Sequence, residues 1–117
     1  MLLRIDEASP LPLYEQLAAA VRAAIVAGTA RPGDRLPSGR DLANANNITL
    51  ETVQRAYRLL ADEGIVTSRV GRGTSIAPDV DPSRFAIDAE IDALVAKARA
   101  VGLSRVDVER RLRAAWP

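Results

Sequence analysis

Arginine carries almost all the positive charge of this 117-residue chain: fifteen of its sixteen basic residues are Arg, and Lys97 is the exception. A guanidinium is planar and donates in a fork that fits a phosphate, or the O6/N7 edge of guanine, bidentately. The same bias also arises from GC-rich coding, so the positions matter more than the count. Arg35 and Arg40 stand on either side of Ser38, where a short helix is expected to begin. Arg55 and Arg58 share the polar face of the following helix with Glu51, Gln54 and Asp62. Arg72 stands alone between Gly71 and Gly73, which let a backbone come close to a ligand. Thr49 and Thr52 open the later helix, where backbone N–H groups attract anions. Gln54 offers the amide that pairs with adenine, and Glu51 a carboxylate that can accept from a cytosine amino group. Plainer uses compete with each of these: Arg35 could pair with Asp34 or Asp41, Thr49 could serve as a helix cap, and Arg55 and Arg58 could be solvated.

Other chemistry is excluded by composition. The chain has neither cysteine nor histidine, so disulfides, thiolate nucleophiles and the commonest zinc ligand and general base are all missing. No metal site, no cofactor and no enzymatic activity are expected. Sixteen basic against fifteen acidic residues leave a net charge of +1. The field of the whole chain would not draw it onto nucleic acid, and local placement of charge has to do so. No apolar run approaches the ~20 residues of a bilayer span, and Met1-Leu2-Leu3-Arg4-Ile5-Asp6 reaches an acid too soon for a signal peptide. A cytoplasmic protein with no membrane partner is the expectation.

The elements that must position these side chains follow from periodicity. A first helix is expected over 11–27, with Leu13, Leu17, Val21, Ala24 and Ile25 as its apolar stripe and Gly28 as its stop. A turn and a short extended piece follow over Arg31–Pro37. Ser38 then caps a short second helix, with Asp41 in the reciprocal position of a capping box and Leu42 and Ala43 buried. Asn44-Ala45-Asn46-Asn47 reads as the turn out of it, and Ile48 as the plug of the corner. Thr49 caps a third helix running to Glu63 before Gly64, whose apolar face is Val53, Ala56, Tyr57 and Leu60. Two such helices outline a helix-turn-helix. The β-type runs Ile65–Val70 and Thr74–Ala77, joined by Gly71-Arg72-Gly73, add a hairpin wing. After a linker with two prolines and two acids, a fourth helix is expected over about 85–101, with Ile87, Ile91, Leu94, Ala98 and Val101 on one face. Gly102 closes it. Ser104 and Asp107 form a second capping box, Leu103 and Val108 the staple around it, and the last helix carries Val108, Leu112 and Trp116 at i, i+4 and i+8. Two helices in ~35 residues cannot bury a sound core alone, so their apolar faces call for a partner, a second copy of the tail being favoured. Tyr14, Tyr57, Phe85 and Trp116 are expected in the core or an interface.

The run Pro32-Gly33-Asp34-Arg35-Leu36-Pro37-Ser38-Gly39-Arg40-Asp41-Leu42-Ala43 resembles the signature of the GntR family of bacterial regulators. So do Thr52-Val53-Gln54-Arg55-Ala56-Tyr57, Asp62-Glu63-Gly64-Ile65-Val66 and Gly71-Arg72-Gly73-Thr74, in order and with matching spacings over residues 11 to 77. The opening Pro12-Leu13-Tyr14-Glu15-Gln16-Leu17 and the short helical tail look most like the YtrA subfamily, whose members lack a large effector-binding domain and dimerise through that tail. Arg40 matches a DNA-contact position of the family. The sequence departs from the pattern at Gly39, where Glu is usual, at Asn47, where Gly is common, and at Leu50 and Glu51, where many relatives carry polar or basic residues. The family's general act therefore carries over, and its operator preference does not.

The fold expected is mostly α with a small β wing: a winged helix-turn-helix over 1–77, a linker over 78–84 and a two-helix dimerisation tail over 85–117. The expected function is sequence-specific binding of double-stranded DNA by a homodimer, as a repressor on an inverted-repeat operator. Arg35, Ser38, Arg40, Thr49, Glu51, Thr52, Gln54, Arg55, Arg58, Gly71, Arg72 and Gly73 are the DNA-binding candidates. Ile87, Ile91, Leu94, Val108, Leu112 and Trp116 are the dimerisation candidates. Two alternatives stand beside this: a winged-helix docking module for other proteins, and the head of a larger regulator with a pyridoxal-phosphate domain. The capped tail ending at Trp116-Pro117 argues against the second. A small-molecule effector is left open, since no residue marks its site.

Overall fold

The computed structural model describes residues 5–117; Met1–Arg4, the start of the segment read above against a signal peptide, lies outside the described residues. The chain divides into two compact units, the first ending at Pro82 and the second beginning at Ser83.

In the first unit, α1 spans Leu13–Ala27 and ends on Gly28, which takes φ 80° and returns its N–H to the carbonyls of Ala24 and Ile25. Only glycine adopts that conformation without a Cβ penalty. Leu17, Val21 and Ile25 are buried as the stripe requires, together with Ala18. Leu13 is exposed instead. Helical side chains lean toward the N-terminus, so a residue in the first position overhangs the packed turns. Gln16 straps the preceding segment to α1: it accepts from the Asp6 N–H at 2.9 Å and donates to the Asp6 and Leu11 carbonyls, each at 3.0 Å.

The second helix, α2, spans Gly39–Asn46. Ser38 accepts from the Asp41 N–H at 3.0 Å, so the Ser38 half of the predicted capping box is formed. The helix runs on through the stretch read as a turn. Asn46 donates its amide to the Leu42 carbonyl one turn back at 3.0 Å, which keeps it helical, and a single left-handed residue, Asn47 at φ 52°, makes the corner. Thr49 then caps α3, Leu50–Asp62, and Val53, Ala56, Tyr57 and Leu60 are all buried. Both α1 and α2 pack on α3. A two-pronged ion pair from Arg22 to Glu63, at 3.2 and 2.6 Å, ties α1 to the end of α3.

The wing is an antiparallel pair, β1 Val66–Arg69 and β2 Gly73–Ile76, in a register that sets Val66 against Ile76 and Arg69 against Gly73. The extended piece before α2 lies along β2: Leu36 donates to Thr74 and Ile76 to Asp34, both at 2.8 Å, with Arg35 bridged to Ser75. This third rung joins the wing to the approach of α2. Leu42, Leu60, Ile65, Ile76, Val21 and Val53 are the largest fully buried side chains of the core.

The second unit has two helices, α4 Ser83–Ala100 and α5 Arg105–Ala115. The first starts two residues before the point that the apolar spacing marks. Ser104 and Asp107 form a full capping box. Two bonds from Ser104, backbone first and then side chain, hold the Asp107 carboxyl below its ordinary range. Ala98 is buried, and Leu103 and Val108 are half-buried at the staple positions. Ile87, Ile91, Leu94, Leu112 and Trp116 are exposed, Trp116 to 74%. Among the described residues no helix is long and apolar enough to cross a membrane.

Candidate nucleic-acid interface

The third helix divides its solvent side in two. Leu50, Gln54, Arg58 and Ala61 follow one another at i, i+4, i+8 and i+11. Together with Gly39 and Arg40 from α2 and Ser68 and Thr74 from the wing they line one open concavity of about 590 Å³. Arg40, Gln54 and Arg58 are therefore brought together, with two cations and one amide facing a common space. Arg40 and Arg58 take part in none of the ion pairs among the described residues, so their charge is available to a ligand.

Tyr57 holds this arrangement from beneath. Its hydroxyl donates to the Pro37 carbonyl at 2.7 Å, and its side chain is only 8% exposed. Burial pushes the hydroxyl up to about 12, so it stays a donor at any physiological pH. The bond fixes α3 against the strand that leads into α2, and with it the separation of Gln54 from Arg40.

The wing supplies a second cationic edge. Gly71 and Gly73 take φ 79° and 77°, and the Arg72 N–H closes the tip onto the Arg69 carbonyl at 3.0 Å. Open space surrounds Gly71, whereas a Cβ at Gly73 would come within 3.3 Å of an Arg35 Nη2. Arg35 thus reaches along the wing to the last rung before its tip, on the Gly73 backbone. It pairs with neither Asp34 nor Asp41 among the described ion pairs. Arg72 is exposed at the tip.

Other sequence candidates lie outside the concavity. Thr49 accepts from the Thr52 N–H at 3.3 Å, and the two hydroxyls meet at 2.9 Å, so the pair caps the helix while leaving Thr49 exposed at its N-terminus. Ser38 caps α2. Glu51 is exposed in the first turn of α3. Arg55 sits over the Tyr14 ring at 4.0 Å, a cation–π contact that ties α3 to the start of α1. Sequence reasoning missed Ser68 and Thr74 on the wing, whose hydroxyls meet at 2.8 Å. Their equal distance from Gly71, three residues on either side of the hairpin tip, was the available signal. Leu50 was noted only as a departure from pattern.

A family model described as bacterial regulatory proteins, gntR family, matches residues 13–76. The HTH-type transcriptional regulator Rv1152 of Mycobacterium tuberculosis is 41% identical over 110 residues, covering 94% of this chain and 90% of that protein. The HTH-type transcriptional repressor YtrA of Bacillus subtilis is 40% identical over 76 residues, covering 65% of this chain and 58% of its own length. Among solved structures, the DNA-binding domain of AraR in complex with operator ORX1 superposes with a TM-score of 0.58 at 25% identity, over 66% of this chain and 95% of that one.

Proposed function

This chain belongs to the gntR family of bacterial regulatory proteins, and on that premise we propose that it is a cytoplasmic repressor that binds an inverted-repeat operator as a homodimer. Its relatives are transcriptional regulators and not enzymes. One relative is a repressor, and one structural neighbour is bound to its operator. The observation that carries the reading is the concavity holding Arg40, Gln54 and Arg58 between α3 and the wing.

On this reading α3 lies in the major groove with its N-terminal turns toward the bases. Arg40 and Arg58 take phosphates at the groove edges, and Gln54 reads a base. Thr49 and Thr52 present the helix N-terminus to a phosphate, while Ser38 holds Arg40 in place through its cap. Glu51 accepts from a cytosine amino group. The wing follows the adjacent minor groove, with Arg72 at its tip, Gly71 and Gly73 allowing close approach, and the Arg35 guanidinium beside Gly73 just below the tip. Arg55 is positioned by Tyr14 and reaches the backbone beside α1.

Dimerisation falls to the second unit. Ile87, Ile91, Leu94, Leu112 and Trp116 are all exposed in it, apolar surface of the kind that marks an interaction site, and Val108 extends that face. Leu94, Val101, Leu103, Val108 and Leu112 line an apolar hollow of about 410 Å³ in the same unit, a seat for a partner's side chains. Two α3 helices then meet half-sites about one helical turn apart, and the bound dimer excludes polymerase.

Two substitutions test the division of labour. Arg40→Ala should weaken binding to every duplex and lower the salt slope by about one, whereas Gln54→Ala should relax base choice at one position per half-site. Identical behaviour of the two variants across a panel of duplexes would refute it, as would a footprint covering a single asymmetric site.

A further inference from the structure

Leu50 is an apolar side chain in a polar setting. It is the first residue of α3 and is half-buried. It lines the concavity beside Arg40, Gln54, Arg58, Ser68 and Thr74. A helix docked in the major groove presents its N-terminal residues to base edges, and Leu50 lies one turn before Gln54 on the same face.

Gly39 explains how it is held. A Cβ there would stand 3.0 Å from Leu50 Cδ1 and 3.8 Å from Val53 Cγ1. The Leu50 side chain therefore rests against bare backbone at the start of α2. Gly39 is absent from the glycines with positive φ, so its backbone conformation is open to any residue. What the missing side chain provides is room for Leu50.

We propose that Leu50, seated on Gly39, reads thymine through its 5-methyl group. An isobutyl group has no hydrogen bond to offer, and the only apolar feature in the major groove is the thymine methyl. Opposite cytosine the same side chain would strip water from an amino group without replacing its bond. The inference rests on the DNA-reading proposal above.

The experiment starts by selecting preferred duplexes from a random pool with the full chain, then replaces each thymine of the best duplex by deoxyuridine, one at a time. At one thymine per half-site, loss of the methyl should weaken binding about fourfold, the worth of one buried methylene-sized group. Leu50→Ala should bind with no difference between thymine and deoxyuridine there. Gly39→Ala, which pushes the Leu50 tip aside without altering its chemistry, should reduce the difference. With the unaltered protein, 5-methylcytosine at that position should bind tighter than cytosine, which needs no variant to fold. Equal binding of thymine and deoxyuridine at every position would overturn the proposal, as would a methyl effect that survives in Leu50→Ala. Failure of the pool to yield any preferred sequence would instead overturn the DNA-reading proposal, and this one with it.

Discussion

Replacing Tyr57 by Phe tests whether the hydroxyl beneath the concavity does what its geometry implies. In the folded chain it donates to the Pro37 carbonyl at 2.7 Å, and burial pushes it up to about 12 from an ordinary value of 10.0. Two consequences follow, with different pH dependence. At neutral pH Tyr57→Phe removes one hydrogen bond and leaves a partly buried carbonyl without its donor, a loss of about 1–2 kcal/mol. For the unmodified chain, a raised folded-state value means that folding favours the neutral phenol. That contribution is complete below pH 10, the unfolded value, and is lost as pH rises through 12. Two pH units at 1.36 kcal/mol each set the loss at about 2–3 kcal/mol. Tyr57→Phe has nothing to ionise at this position and should lack the loss. Urea unfolding followed by far-UV circular dichroism, at intervals from pH 8 to pH 12, gives both quantities. The difference between the two proteins cancels every contribution they share. The unmodified chain should be the more stable below pH 10, and the gap should close or reverse by pH 12. Curves that stay parallel across that range would refute the reasoning, because the hydroxyl would then be neither buried nor bonded as described.

Two further outcomes are expected. Gly73→Ala and Gly71→Ala share the roughly 1–2 kcal/mol penalty of a side chain at positive φ, but only Gly73→Ala displaces Arg35. DNA titrations over a range of salt should show a shallower slope for Gly73→Ala alone, and equal slopes would remove Arg35 from the phosphate contacts. Leu112→Asp places a charge on the exposed apolar face of α5. Sedimentation velocity should show a monomer where the unmodified chain is a dimer, and a dimer that survives the substitution would move the interface elsewhere.

The sequence disclosed what depends on local spacing. The face of Val53, Ala56, Tyr57 and Leu60 is legible in the sequence, because a 3.6-residue period and a sheltered side fix it, and all four are buried. The caps at Ser38, Thr49 and Ser104 were equally visible, since each is a side chain answering an N–H three residues on. What stayed hidden joins distant segments. Asn44, Asn46 and Asn47 suit a turn, and only Asn46 bonding back to Leu42 tells that the helix continues. Tyr57 to Pro37, Arg55 to Tyr14, Arg35 across Gly73 and Leu50 on Gly39 are set by how α1, α2 and the wing pack on α3. No periodicity encodes those contacts. The concavity was legible as a set of arginines with a glutamine, and its apolar corner was not.

The central claim, that the face built by α2, α3 and the wing recognises a DNA sequence, is tested most directly by fluorescence titration of the full chain. The probes are a labelled duplex from upstream of its own gene and a scrambled duplex of equal composition, each at low and moderate salt. Recognition predicts tighter binding to the native duplex, with a preference that survives added salt after non-specific binding has faded. Equal, weak binding to both duplexes that vanishes with salt would contradict it and leave this face as a docking surface for protein.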